Sequence, residues 1–257
     1  MVYRPTFLHQ NSPLNTCMIQ TDRPDIARNL ARDAAFDGCD AYGFQYECLG
    51  KEYHNEETVR SIFSQMDHKP IYVTNYRQQA NAGLSDEDLA EGLFSLLRWG
   101  ATLVDVMGDY YDPVPNQLTM NPDAAARQRD LIARLHDAGG EVLMSSHVMK
   151  FTPAEEVLRI AVEQQSRGAD IAKIVTYADT EEQEIENLRI ITLLRKELDI
   201  PFLFLCGGHC QLVRTIGPML GCCMWLTVHE QTNTATKAQP SARAIRAIAD
   251  NFSYTRY

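Results

Sequence analysis

The chain has 257 residues, 45% of them hydrophobic, and a formal net charge of −10. That apolar content is ample for a core, while an acidic balance with no basic stretch excludes nucleic acid as a partner and leaves any anionic ligand to local arginines. No secretory h-region opens the sequence, no apolar run reaches the roughly 18 residues of a membrane span, and seven cysteines without framework spacing read as reduced thiols, so a soluble cytoplasmic protein with no membrane partner is expected.

Short strand-like runs alternate with helical patterns along the whole chain. Strands are expected at 15–20 ("NTCMIQ"), 40–47 ("DAYGFQYE"), 70–75 ("PIYVTN") and 102–107 ("TLVDVM"). Further strands are expected at 141–146 ("EVLMSS"), 170–177 ("DIAKIVTY"), 201–206 ("PFLFLC") and 222–228 ("CCMWLTV"). Between them lie helical segments with their own punctuation. In "NPDAAARQRDLIARLHDAGG", Asn121 reads as the cap and Gly139 as the stop. In "TPAEEVLRIAVEQQSRG", Thr152 reads as the cap, Pro153 as a first-turn residue, Glu155 as the partner in a capping box and Gly168 as the stop.

Eight strands, each followed by a helix at intervals of roughly 25–35 residues, are the arithmetic of a (β/α)8 barrel of eight parallel strands. With no linker or shift in composition, residues 1–257 read as a single domain. The rival is a doubly wound open sheet, which carries a Gly-rich turn after its first strand; "CMIQTDRPD" has none. On a barrel the working face lies at the C-terminal ends of the strands, which makes strand-end residues the ones to read for chemistry.

Two of them stand out. His147 directly follows "EVLMSS", and Lys173 lies inside "GADIAKIVTYA", a run otherwise small, apolar or strand-forming. By alternation Ile171, Lys173 and Val175 share one face, and in a barrel either face desolvates the lysine. A desolvated ammonium must pair with a carboxylate, snorkel past the strand end, or shed its proton and become a nucleophilic amine. His147 on the preceding strand supplies an imidazole within reach of the same small molecule. An amine that condenses with a ketone and a base that removes a neighbouring C–H proton are together the parts of Schiff-base chemistry.

The stretches "MSSHVMKFTP", "GADIAKIVTYADT", "LCGGHCQLVRTIGPMLGCC" and "KAQPSARAIR" resemble the type I 3-dehydroquinate dehydratases, (β/α)8 enzymes of the shikimate pathway that work through a Schiff-base lysine. The resemblance runs from about residue 40 to the C-terminus. It implies that Lys173 forms an iminium with the substrate ketone and that His147 is the general base. It further implies that Arg214 holds a substrate carboxylate, that Gln239 belongs to a terminal substrate loop, and that Arg77 contacts hydroxyls. It implies an anionic keto acid as substrate, no metal or organic cofactor, and a homodimer.

The chain also departs from that pattern. Where the family has Glu-x-Arg-x-Asp at the second strand, this chain reads "GFQYE", so Gly43 and Gln45 stand where a glutamate and an arginine contact substrate hydroxyls, and Gln45 is taken as a substrate-facing residue. Asn81 stands for the carboxylate that neighbours the histidine, and Met107 for a further glutamate, while Asp105 remains. Mechanism is therefore more firmly implied than substrate. "CGGHC" contains Cys206, His209 and Cys210 but lacks a second close ligand pair for zinc, so its glycines are read as letting backbone approach a ligand and His209 as lining the pocket mouth. His229 is read as a polar loop residue, and "GDYYDPVP" as a covering loop. Two alternatives stay open: an aldolase-like barrel using the same lysine to cleave a C–C bond, and a non-catalytic ligand-binding barrel.

Overall fold

The structure, a computed structural model, describes residues 5–251; residues 1–4 and 252–257 of the expected single domain lie outside the described residues. In chain order the elements are β1 (Leu14–Ile19), α1 (Pro24–Phe36), β2 (Ala41–Gln45), α2 (Glu56–Phe63), β3 (Ile71–Thr74) and α3 (Asp86–Trp99). They continue with β4 (Leu103–Met107), α4 (Pro122–Asp137), β5 (Glu141–His147), α5 (Ala154–Ser166) and β6 (Ile171–Ala178). The last are α6 (Glu181–Glu197), β7 (Phe202–Gly208), α7 (Val213–Leu220), β8 (Met224–Thr227) and α8 (Ala242–Ala249). The strands form one eight-stranded sheet in the order β7-β6-β5-β4-β3-β2-β1-β8. Strict alternation of parallel strands and helices in that order is the (β/α)8 barrel fold. Among the described residues no helix is long and apolar enough to cross a membrane.

The helix boundaries follow local chemistry. Ser85 caps α3 through a full capping box with Asp88, and Asp86, Glu87 and Asp88 set negative charge against the positive end of the helix dipole. At α4 the Asn121 side chain accepts from the Asp123 N–H at 3.0 Å, as expected of the cap, and Gly139 has a positive φ of 78°. The expected capping box of α5 does not form. The Ala154 N–H donates instead to Glu186 Oε1 at 2.8 Å, Glu155 pairs with Arg189, and the Thr152 hydroxyl turns back to the Lys150 carbonyl. A carboxylate from the neighbouring helix takes over the orphan N–H that Thr152 was expected to satisfy. Gly168 does end this helix, at a φ of 96°.

Packing divides the chain into two compact units. Among the described residues one comprises 5–105, 138–141 and 226–251, and the other 106–137 and 142–225. In the first, β1, β2 and β3 pair in parallel with Met18 opposite Gly43 and Gly43 opposite Tyr72. The Phe44 ring meets Phe63 of α2 edge-on at 5.5 Å, so Phe44 points to the helices and its neighbours Gly43 and Gln45 point the other way, inward. The Thr227 hydroxyl donates to Asn15 Oδ1 at 2.8 Å and the Asn15 amide donates to the Ala242 carbonyl at 3.0 Å, pinning β8 and α8 to β1.

In the second unit β5, β6 and β7 pair in parallel, with Ser145 opposite Lys173 and Lys173 opposite Leu203. Gln164 of α5 donates to the Ser146 hydroxyl at 3.0 Å and to the Lys173 carbonyl at 3.1 Å. Ser146 therefore faces the helices, and alternation turns Ser145, His147, Lys173 and Val175 to the inner face.

Candidate active site

Lys173 is the third residue of β6 and only 4% exposed. Its neighbours on the inner face are buried: Ile171 and Val175 along its own strand, Ser145 and Leu203 across. His147, the last residue of β5, stands opposite Val175, one inward position beyond Ser145. Two residues of rise and one strand spacing put the Lys173 and His147 Cα atoms roughly 8 Å apart on one face, a diagonal that an extended lysine spans. The imidazole is half-buried; its Nδ1 lies 2.7 Å from Gln117 Oε1, and the His147 backbone N–H donates to the same oxygen at 3.0 Å.

Arg214, the second residue of α7, is buried, and its Nε donates to the Cys206 carbonyl at 2.6 Å. Burial pulls its pKa below the usual guanidinium value. A Cβ at position 207, next to Cys206, would come within 2.9 Å of the Tyr177 ring, and the residue there is glycine. His209 belongs to the same unit and is exposed, with Nδ1 3.1 Å from Asp179 Oδ1.

The first unit carries different polar groups. Glu47 is fully buried; the Thr74 hydroxyl lies 3.0 and 2.8 Å from its two oxygens and donates to one. Burial pushes the Glu47 carboxyl above the usual carboxylate range, against its own backbone N–H and the Thr74 hydroxyl, which favour the ionised form. Tyr72 and Tyr76 each donate to Asp105 Oδ2 at 2.5 Å, and burial followed by the Asp105 charge raises both phenols. Gln45 accepts from Gln20. Any Cβ at position 43 would collide with Met18 Sδ, so the thioether fills the space a side chain there would take.

The remaining expected contacts lie in this unit. Arg77 forms a two-pronged pair with Asp86, Nε to Oδ1 at 2.5 Å and Nη2 to Oδ2 at 2.8 Å. Gln239 is buried, and its Oε1 has no hydrogen-bond partner among the described residues. Asn81 is also buried and donates to Asn75 Oδ1 at 2.7 Å and to the Tyr76 carbonyl at 3.0 Å. His229 pairs through Nδ1 with Asp37 Oδ2 at 2.7 Å, the same carboxylate that Arg243 reaches at 3.1 Å.

Lys173, His147 and Arg214 are thus brought into one unit, and Gln45, Arg77 and Gln239 into the other. Gln117 was not anticipated from sequence. It sits in the stretch between β4 and α4, beyond the "GDYYDPVP" segment read as a cover, and no spacing or motif marks it.

The second unit of the (β/α)8 barrel thus holds a buried lysine and a half-buried histidine on one inner face of adjacent strands. The chain belongs to the family described as Type I 3-dehydroquinase, which it matches over residues 17–254. The family places it in the dehydratase class of carbon–oxygen lyases. A 3-dehydroquinate dehydratase from Syntrophobacter fumaroxidans is 32% identical over 80 residues, a stretch that makes up 31% of this chain and about a third of that relative's length (34%). The solved 3-dehydroquinate dehydratase of Geobacillus kaustophilus shares the fold at a TM-score of 0.78 and 17% identity, over 95% of this chain and 93% of that one. That of Clostridium difficile, solved with covalently modified comenic acid, superposes at a TM-score of 0.77 and 15% identity, over 94% and 93% of the two chains.

Proposed function

We propose that the protein dehydrates a cyclic hydroxy-keto acid, 3-dehydroquinate or a close relative, through an iminium on Lys173 with His147 as the general base. The observation that carries this reading is the register of β5 and β6, which puts a buried lysine and the histidine on one inner face in a member of this family.

In this scheme the lone pair of Lys173 Nζ attacks the ketone carbon, and loss of one water gives the iminium. The cation acidifies the adjacent carbon, and His147 takes its proton while the C–H electrons move into an enamine. The enamine expels the β-hydroxyl, which leaves as water with the proton held by His147. A water then hydrolyses the iminium, returning Lys173 and a conjugated ketone. One water enters and two leave, so the net change is loss of one. The iminium supplies the electron sink, and no metal or organic cofactor enters the scheme. Proton transfer by a positioned histidine contributes about 10²–10⁴-fold.

Arg214 supports the reading as the carboxylate holder: with Nε anchored on the Cys206 carbonyl, its plane is fixed and its Nη edge can meet a carboxylate. Gln45, Arg77, His209 and Gln239 are proposed as further substrate contacts. Of these, Gln239 offers a buried acceptor for a substrate hydroxyl, whereas Arg77 must share its guanidinium with Asp86. The reading carries with it a place in the shikimate pathway, a cytoplasmic location and homodimeric assembly.

The test is incubation with 3-dehydroquinate, followed by the ultraviolet absorbance of the conjugated product and by NMR. Appearance of the enone at a catalytic rate supports the reading, and fragments from C–C cleavage would establish the aldolase-like alternative instead. Binding of the keto acid with no change in it would leave a ligand-binding barrel.

A further inference from the structure

The Gln117–His147 contact determines more than a ring orientation. A backbone N–H can only donate, so the atom that accepts from the His147 N–H at 3.0 Å is the amide oxygen of Gln117, and the amide cannot be flipped. Two acceptors do not meet at 2.7 Å, so the His147 Nδ1 beside that same oxygen carries the hydrogen, and in the neutral ring the lone pair is then on Nε2. We propose that Gln117 is the positioning residue of the base: its amide oxygen holds His147 in the Nδ1–H tautomer and so keeps Nε2 as the proton-abstracting nitrogen. The inference rests on the reading of His147 as the base and deepens it.

The loop that delivers this amide is built for the purpose at some cost. Gln117 has a φ of 48°, in the left-handed region that a residue with a Cβ rarely adopts. Such a conformation is unfavourable for a residue with a Cβ and persists where the surroundings over-determine it. Here they do. The Gln117 N–H donates to the Val114 carbonyl at 3.0 Å, and the Val114 N–H donates in turn to Asp109 Oδ2 at 3.1 Å. The Gln117 carbonyl accepts from the Ser146 hydroxyl at 2.8 Å, which ties the loop to the strand that carries His147.

Position 108 must be glycine for the same reason: a Cβ there would lie 2.6 Å from the Gln117 carbonyl oxygen. Arg167, fully buried at the end of α5, donates to the Gly108 carbonyl at 3.1 Å, to Gln128 Oε1 at 2.7 Å and to the Thr119 carbonyl at 2.5 Å. One guanidinium thus clamps the chain on both sides of Gln117. The partner so delivered is a neutral amide, which selects the tautomer without placing a negative charge beside the imidazole.

The test reads the ring directly. Nitrogen-15 NMR of the intact protein at alkaline pH, with His147 assigned by its loss in His147→Gln, is expected to show a protonated Nδ1 and a pyridine-like Nε2. In Gln117→Met, of similar size but without the acceptor, the ring is expected to move toward the Nε2–H form, and kcat to fall roughly ten- to a hundredfold with KM little changed, the scale on which a metal-bound histidine suffers from losing its orienting partner. Gln117→Glu presents an oxygen to both donors and is expected to restore the Nδ1–H tautomer and most of kcat, which separates loss of the contact from damage to the loop. An unchanged tautomer in Gln117→Met overturns the proposal, and so does a changed tautomer at undiminished kcat. Because the ring is observed without substrate, a wild-type protein that fails to turn over 3-dehydroquinate defeats the dehydratase reading and leaves the tautomer result standing.

Discussion

On the inner face of the unit built on β5, β6 and β7 the ionisable nitrogen groups are a histidine and a lysine, with Ser145 beside them and a buried arginine on α7 behind. In the unit built on β1, β2 and β3 the polar groups include amides, hydroxyls and the buried acids Glu47 and Asp105. The two sets are held differently. The two acids beside the strand ends are met by hydroxyl donors, Glu47 by Thr74 and Asp105 by Tyr72 and Tyr76, as burial of a carboxylate demands. The groups of the second unit are fixed from outside the inner face instead: His147 by Gln117 from a loop, Arg214 by a backbone carbonyl. Hydroxyl partners stabilise an acid where it lies, whereas the amide and carbonyl acceptors fix the orientation of an imidazole and a guanidinium. On the proposed reading the chemistry belongs to Lys173 and His147 of the second unit.

The largest expected effect is at the lysine. Lys173→Met should fold, by circular dichroism, and reduce turnover of 3-dehydroquinate to background; appreciable remaining turnover would break the comparison at its centre. Next comes the base. His147→Ala should lower kcat by about 10²–10⁴-fold while imine formation continues, measured by quenching with borohydride.

At Arg214 the effect should appear in binding. A charge-assisted hydrogen bond of about 1.5–3 kcal/mol corresponds to a KM raised roughly ten- to a hundredfold in Arg214→Lys, with no change for a keto substrate that lacks the carboxylate. An equal loss for both substrates would assign Arg214 to the scaffold alone.

The smallest effect belongs to the first unit. Because the Glu47 carboxyl titrates above its ordinary value of 4.5 in the folded chain, the stability it contributes is greatest at acid pH and is lost as pH rises from 4.5 toward the raised folded value. Glu47→Gln should flatten that part of a plot of unfolding free energy against pH, measured in urea. An unaltered slope would mean that Glu47 is not the buried acid responsible.

The strands and the lysine were legible in sequence because period-two alternation and burial are local properties: all eight strands fall within a few residues of their expected places, and Lys173 lies on the inner face. Features made by distant segments were not legible. The N–H at the start of α5 is satisfied by Glu186, 32 residues away, which no capping pattern within "TPAEEV" could disclose. Gln117 reaches His147 across 30 residues through a left-handed backbone, and glutamine carries no preference for such a position that would mark it. Asn81 was expected to stand for the histidine's carboxylate neighbour; its amide is engaged by Asn75 and Tyr76, and the His147 Nδ1 is met by Gln117. The altered residues at positions 43 and 45 were legible as departures, but that Met18 occupies the space above Gly43 required the paired strands.

The central claim, that Lys173 forms an iminium with a keto acid, is tested most directly by treating the protein with borohydride during turnover of 3-dehydroquinate and mapping the product by peptide mass spectrometry. The account predicts a reduced secondary-amine adduct on Lys173 and none in Lys173→Met. Turnover without any adduct at Lys173, or an adduct on a different lysine, would contradict it.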